Sequence, residues 1–273
     1  MDLQIKGQVA LVTGAGRHVG LDIAKGLAME GVRVAINDLV ADRAEAAAEE
    51  IRQAGGEAMA IPADVTDLEQ MRVAVDKVVE RWGGVQILVN NAGIPTPTQN
   101  NDSEFGTKSE PFFLQTGPTD WRRWTELNYY GTLNTTYLCL PHMQKAGHGR
   151  LIGIISDAAR TGGPRLAVYA GAKAAILAFL KSIAGEYARF GITANCISLG
   201  AFIHEDIDKT WGTPEEREQR RKMFLSFYPL AKKYDRLTTG DDAAYAVTML
   251  ASRRSDWMTG QVFSVSGGFC MAG

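Results

Sequence analysis

Gln8-Val9-Ala10-Leu11-Val12-Thr13-Gly14-Ala15-Gly16-Arg17-His18-Val19-Gly20 is the stretch whose reading decides the fold. Its first half is a short apolar, partly β-branched run with the length and composition of a buried strand. Its second half is a glycine-rich turn, and the helical spacing of Leu21 to Met29 begins directly after it. Strand, turn and helix in that order set free N–H groups and the positive end of a helix dipole around a space that suits a pyrophosphate. Glycines let the backbone turn tightly and approach such a ligand closely. In that reading Gly14, Arg17, His18, Val19 and Gly20 are phosphate contacts. The same pattern also serves as a purely structural tight turn, so the motif alone leaves both readings open.

Working outward, Val32 to Asn37 reads as a second strand ending at Asp38, which lies 18 residues past Gly20. A carboxylate there can accept hydrogen bonds from both hydroxyls of an adenosine ribose and would repel a 2′-phosphate, which favours NAD over NADP. Asp38 equally fits the N-cap of the next helix, Ala41 to Gln53. Arg17 is a counter-signal, since it could neutralise a 2′-phosphate. Ala58 to Pro62 reads as a third strand, with Asp64 and Val65 at its end where an adenine ring would lie. Asp67 starts a helix to about Trp82, whose Leu68, Met71, Val75, Val78 and Val79 recur at helical spacing and form a core face. Ile87 to Asn90 is a fourth strand, closed by Asn90-Asn91-Ala92-Gly93. This alternation predicts an α/β fold, a doubly wound parallel sheet with helices on both faces.

The segment from Ile94 to about Pro118 reads as a long loop, a kind that tends to be functional or mobile. Thr119 is expected to cap a helix running to about Lys145, in which Asn128 is either a satisfied buried amide or a functional group. A buried strand, Leu151 to Ile155, leads to Ser156, and a loop with Gly162, Gly163 and Pro164 follows. A helix from Val168 to Arg189 then carries Tyr169 and Lys173, four residues apart and so one turn from each other on one face. The cation favours phenolate, so the tyrosine pKa is expected to fall from about 10. Such a phenol exchanges a proton with an alcohol/ketone pair, with Ser156 able to bond the same oxygen. Tyr and Lys at this spacing are also common on helices with no catalytic part. Ile192 to Ile197 is a sixth strand, Ser198 to Phe202 a turn, and His204 to Tyr228 polar and helix-prone. A helix from Gly240 to Ser252 precedes a last strand, Gln261 to Val265. Without repeat or linker, residues 1–273 read as one domain, with the loop at 94–118 and a substrate-side helical segment at about 202–230.

Composition bounds the partners. A hydrophobic fraction of 45%, a charged fraction of 22% and a net charge of −2 are ordinary for a soluble globular chain and offer no electrostatic case for nucleic acid or a membrane surface. The start, Met1 to Lys6, lacks a signal-peptide pattern, and no apolar run approaches the ~20 residues that span a bilayer. Cys139, Cys196 and Cys270 are widely spaced and odd in number, which suggests buried thiols in a reducing, cytoplasmic setting. The four histidines show no metal-binding spacing.

Thr13-Gly14 through Gly20, Asp64, Asn90 to Gly93, Asn128, and Ser156 with Tyr169 and Lys173 together resemble the short-chain dehydrogenase/reductase family over nearly the whole chain. The resemblance implies a three-layer, Rossmann-like sheet of about seven parallel strands, with NAD(P) bound at its C-terminal edge. It implies Tyr169 as acid/base, Ser156 orienting the substrate oxygen, Lys173 lowering the tyrosine pKa and bonding the nicotinamide ribose, and Asn128 holding a water in a proton relay. Asn90, Ala92, Gly93 and Gly200 join the cofactor contacts by the same route. Four positions depart from the family pattern: His18 where a glycine is usual, Leu199 before Gly200 in place of proline, His204 near a usual threonine, and Ser266 in place of aspartate. They read as changes in cofactor seating.

The 94–118 loop is longer than in compact members and is expected to shape the substrate pocket. Phe112, Phe113, Trp121, Phe202, Trp211 and Phe224 are candidate pocket walls, favouring a cyclic or hydrophobic substrate. The expected activity is NAD(H)-dependent interconversion of a secondary alcohol and a ketone. A 3-oxoacyl-thioester reductase and a non-catalytic nucleotide-binding subunit are the alternatives. The resemblance also implies a homo-oligomer, a tetramer or dimer, built on the helices Thr119–Lys145 and Val168–Arg189.

Overall fold

β1 (Val9–Val12) is buried at every position, with Ala10 and Val12 in one core and Val9 and Leu11 in the other. That period-two split is what a strand covered on both faces requires. The computed structural model describes residues 2–93, 112–202 and 213–271. In chain order the elements are β1, α1 (His18–Met29), β2 (Arg33–Ile36), α2 (Ala41–Gln53), β3 (Glu57–Ala60), α3 (Leu68–Trp82) and β4 (Ile87–Asn90). There follow α4 (Pro118–Thr125), α5 (Gly131–Ala146), β5 (Gly149–Ser156), α6 (Ala158–Thr161), α7 (Ala167–Tyr187) and β6 (Ile192–Leu199). The chain closes with α8 (Pro214–Phe227), α9 (Ala231–Tyr234), α10 (Gly240–Ala251) and β7 (Val262–Val265).

Among the described residues the strands form one seven-stranded sheet in the order β3-β2-β1-β4-β5-β6-β7, parallel at every pairing. One core joins it to α1, α2 and α10 through residues such as Ile23, Leu27, Ile51, Val247 and Leu250. The other joins it to α3, α5 and α7 through Met71, Val78, Met143, Ile176 and Leu180. The doubly wound, three-layer expectation holds. The winding reverses between β1 and β4, and ligands in such sheets bind beyond the carboxyl ends of the strands at that point. Register Val12↔Val89 and Asn90↔Gly153 brings Thr13, Asn91 and Ser156 to the same edge.

Several elements differ from the sequence reading. The helix expected from Thr119 starts at Pro118, with Asp120 Oδ2 accepting from Gly117 N at 3.1 Å, so Thr119 is not its cap. It is also interrupted: Glu126–Tyr130 forms one wide π turn between α4 and α5. The helix after Ser156 spans Ala167–Tyr187. Together with the turn after it, Ala167–Phe190 is long and apolar enough by length and composition to cross a bilayer, at mean hydropathy 1.4, which corrects the sequence statement on that point. The cause is its alanines and glycines, which score as apolar but serve close packing. In the fold this helix lies against the sheet, with Ala172, Ile176, Leu180 and Ile183 buried. Cys139, Cys196 and Cys270 are buried, free thiols, as expected. Most of the 94–118 segment, His204 and Trp211 lie outside the described residues.

Candidate active site

Ser156, the last residue of β5, sits at the carboxyl edge and accepts a hydrogen bond from Ala158 N at 3.2 Å. Tyr169 and Lys173 project from the first turns of α7, and the Tyr169 phenol is hydrogen-bonded to the Ser156 side chain. Lys173 is buried, and its Nζ donates to the carbonyl of Ile154 at 2.9 Å. It stands 6.0 Å from the centroid of the Tyr169 ring. Asn128 is carried into the protein by the π turn, a feature that recurs at functional sites because it breaks the regular helical ladder. Its Nδ2 donates to Trp124 O at 2.9 Å, while its buried Oδ1 meets no donor among the described residues. Gly93 closes this corner: a Cβ on it would lie 2.5 Å from Lys173 Nζ and 2.6 Å from Asn128 Oδ1. Only a bare α-carbon lets these groups share one small space, and an unmet buried acceptor there suits a donor brought by water or a ligand.

Burial decides the electrostatics. It pushes the Tyr169 phenol up to about 12, opposed by the bond with Ser156. It pushes Lys173 down to about 8, opposed by Cys196, whose own thiol burial raises to about 12. The sequence reading expected the tyrosine pKa to fall, and the direction is reversed here. Lys173 points at Ile154 O rather than at the phenol, and loss of water outweighs a cation at that distance.

The glycine-rich turn is latched to the end of β4. Thr13 Oγ1 accepts from Asn91 N at 3.0 Å and Ala92 N at 3.1 Å, and Asn91 Nδ2 donates to the carbonyls of Thr13 and Gly14. Gly14 has φ +61°, and a Cβ on Gly20 would meet Gly14 O at 2.4 Å and Asn91 Nδ2 at 2.5 Å. Arg17 is exposed and extended just before α1, and Val19 packs on the core from the first turn of that helix. His18 adopts φ +53°, the left-handed region that glycine enters freely and that costs other residues about 1–2 kcal/mol. Asp38 Oδ2 accepts from Gly16 N at 3.2 Å and Oδ1 from Val40 N at 3.0 Å. The residue capping α2 is Val40, so the N-cap alternative for Asp38 falls. Asp64 Oδ1 accepts from Thr66 N and Oγ1, each at 2.8 Å, and Val65 is buried against Gly131.

The Asn90 side chain is engaged within the fold. Its amide bonds Thr135 Oγ1 at 2.5 Å and Thr136 Oγ1 at 3.2 Å, tying β4 to α5. Its neighbour Asn91, not assigned from sequence, is the side chain that holds the turn. Gly200 lies where β6 ends, half buried, with Tyr228 close enough that a Cβ would sit 2.7 Å from its ring.

Residues 8–215 match the family described as short chain dehydrogenase. The chain belongs to this family. It is 32% identical over 267 residues to the 7alpha-hydroxysteroid dehydrogenase of Escherichia coli strain K12, covering 98% of this chain and 96% of the relative. It is 34% identical over 263 residues to the 3-oxoacyl-acyl-carrier-protein reductase FabG of Staphylococcus aureus strain Mu50, covering 96% and 98%. Among solved structures, a gluconate 5-dehydrogenase from Burkholderia cenocepacia J2315 in complex with NADP and tartrate superposes at TM-score 0.85, with 30% identity over 100% of this chain and 98% of that one. A 7alpha-hydroxysteroid dehydrogenase with NADH and 7-oxo glycochenodeoxycholic acid gives 0.84, with 31% identity over 98% and 96%.

As a short-chain dehydrogenase, the chain is an oxidoreductase of the alcohol/ketone type that uses a nicotinamide cofactor. The glycine-rich turn, with Cβ-free approaches at Gly20 and Gly93 and an unmet acceptor at Asn128, fits such a group. Of the aromatic candidates, Phe113 stacks on Trp121 at 5.2 Å and Phe112 carries Arg165 over its ring, while Phe224 packs in the small cluster of Tyr228 and Ala201 beyond the end of β6. Phe202 bridges to Thr238. An aromatic that the sequence did not single out as a pocket wall also reaches the chemistry: Trp124 meets the Tyr169 ring edge-on at 5.4 Å.

Proposed function

We propose that this short-chain dehydrogenase interconverts a secondary alcohol and a ketone on a cyclic or otherwise hydrophobic small molecule, with NAD(H) in preference to NADP(H). The observation that carries the reading is the Ser156–Tyr169 hydrogen bond, with Lys173 one turn on and Asn128 Oδ1 in the same corner. A bound nicotinamide gives or takes the hydride; the rest falls to the chain. Tyr169 Oη exchanges the proton with the substrate oxygen, and Ser156 Oγ holds that oxygen in line. A phenol at about 12 is protonated at neutral pH, so it is set to donate to a ketone oxygen. In the oxidative direction the Lys173 ammonium favours the phenolate, and Asn128 Oδ1 offers an acceptor to a water passing the proton outward.

The Asp38 carboxylate supports NAD. It faces Gly16 in the turn, where a ribose would offer hydroxyl donors and a 2′-phosphate would bring a second negative charge. Gly14, Arg17, His18, Val19, Gly20, Asp64, Val65, Ala92, Gly93 and Gly200, with the Asn90 main chain, complete the cofactor contacts in this reading. Trp124, Phe113 and Trp121 form an apolar wall on the substrate side. Exposed Tyr130 and Tyr137 on the π turn and α5, with open space at Gly171 and Gly185 of α7, suit a homo-oligomer built on these helices, a dimer or tetramer. The free buried thiols suit a cytoplasmic setting.

The deciding experiment is Tyr169→Phe. It is expected to abolish NAD reduction with a panel of cyclic and aromatic secondary alcohols while NADH binding, read by fluorescence, stays within about two-fold. Undiminished turnover by the variant removes the assigned proton role.

A further inference from the structure

One buried polar cluster has no part in the chemistry above. Asp157 follows Ser156 directly and is 2% exposed. Its Oδ1 accepts a hydrogen bond at 2.5 Å from Ser198 Oγ, itself completely buried in β6. Its N–H donates to Leu199 O at 2.9 Å, and its carbonyl accepts from Arg160 N, Thr161 N and Thr161 Oγ1 in the last two residues of α6. Asp157 Oδ2 has no partner among the described residues. An apolar side chain of the same size would join β5 to β6 without the cost of a buried carboxylate, so its presence calls for a reason beyond packing.

Tyr228 reaches the same strand end from the far side. It is buried after α8, stacked on Phe269 at 4.9 Å, and its Oη accepts from Ala201 N at 2.5 Å. Its ring lies against the bare α-carbon of Gly200. Burial raises the Tyr228 pKa first, with the charge of Asp157 adding in the same direction, so the two groups sense each other and the phenol stays protonated. Leu199 stands where the resemblance led us to expect proline, whose ring would lock φ at that point. With leucine there, the strand end is held by hydrogen bonds instead.

We propose that Asp157 and Tyr228 are positioning residues, which act through Ser198 Oγ and the Ala201 N–H to hold Ser198–Ala201 in fixed relation to Ser156. The inference rests on the reading of Ser156 and Gly200 as parts of the active site. One network then sets both the serine and the strand end beside Gly200. It also connects them to the segment after α8, so a shift of that segment is felt at Ser156.

The test is a double-mutant cycle on the full chain. Asp157→Leu, Ser198→Ala, their combination, Asp157→Asn and Tyr228→Phe are compared by kcat and KM on the best cyclic alcohol of the panel, by NADH affinity and by melting temperature. Asp157→Leu and Ser198→Ala are each expected to lower kcat about ten-fold in folded protein. The combination is expected to be no worse than either, because both break one link. Asp157→Asn keeps a carbonyl oxygen for Ser198 and is expected to recover most of kcat. Tyr228→Phe is expected to raise the NADH dissociation constant about three-fold or more, with a fall of only a few degrees in melting temperature for the lost hydrogen bond. Effects that multiply in the combination, or a kcat within about two-fold of wild type for Ser198→Ala, overturn the role of Asp157. An NADH affinity within about two-fold for Tyr228→Phe overturns the role of Tyr228. Should Asp157→Leu not fold, Ser198→Ala and Tyr228→Phe still decide. An inactive Tyr169→Phe beside unaffected Ser198→Ala and Tyr228→Phe sinks this inference alone, whereas an active Tyr169→Phe removes the functional reading beneath it.

Discussion

Replacing Lys173 by methionine is expected to leave a protein that is more stable at neutral pH and no longer active. Burial lowers the ammonium from 10.5 to about 8, with Cys196 offsetting part of the fall. At about 1.4 kcal/mol for each factor of ten in proton affinity, holding the charged form inside costs about 3 kcal/mol. The substitution removes that cost and loses the 2.9 Å bond to Ile154 O, worth about 1–2 kcal/mol. The net gain is about 1–2 kcal/mol, a rise of several degrees in melting temperature for a chain of this size. The pH dependence carries the sign. The folded pKa lies below the unfolded one, so between about 8 and 10.5 the unfolded chain binds more protons and wild-type stability rises with pH. The advantage of the variant is therefore full at pH 7 and fades as pH approaches 10.5. Urea unfolding of both proteins at the two pH values reads it directly, with turnover measured alongside. A variant less stable than wild type at pH 7, or a gap that does not change with pH, refutes the argument that Lys173 is held charged against its burial.

Other expectations follow from single contacts. NAD is expected to raise the melting temperature more than NADP at equal concentration, and Asp38→Ala to shrink the difference; the opposite order of the two cofactors removes the Asp38 argument. Gly20→Ala is expected to cost about 1–3 kcal/mol and to weaken NAD binding, because the new methyl meets Gly14 O and Asn91 Nδ2 well inside contact distance; a variant as stable as wild type would mean that the turn yields. His148 is held down at about 4, mainly by burial and then by Arg150 and Arg253. Its contribution to stability is full above the ordinary value of 6.5 and is lost as pH falls through 4. His148→Gln is expected to flatten acid unfolding in that window, and an unchanged acid limb speaks against the assignment.

The elements that carry the nucleotide turn were legible because their signals are local. An apolar run, a glycine turn and a helical stripe are each complete within about a dozen residues, and β1, α1, α3 and β4 fell where those patterns put them. The Ser156, Tyr169 and Lys173 set was legible through spacing and resemblance. The π turn was not, since it has no residue type of its own and the phase shift of one extra residue is hard to tell from ordinary irregularity of an apolar stripe. The division of labour between Asn90 and Asn91 was hidden for a related reason: adjacent strand residues face opposite sides, and only the packed helix α5 shows which side belongs to Thr135 and Thr136.

By itself the sequence determined the order of strands and helices, the bare α-carbons of the turn and the chemical identity of the candidate catalytic groups. These follow from backbone preference and side-chain periodicity, which neighbours in the chain already express. The tertiary structure alone decided the charge environment. Whether Lys173 lowers the Tyr169 pKa or burial raises it depends on where an ammonium points and how much water is left around a phenol. It also brought Asp157, Ser198 and Tyr228, far apart in the chain, to one strand end. Desolvation and long-range contact exist only after the layers close over the sheet.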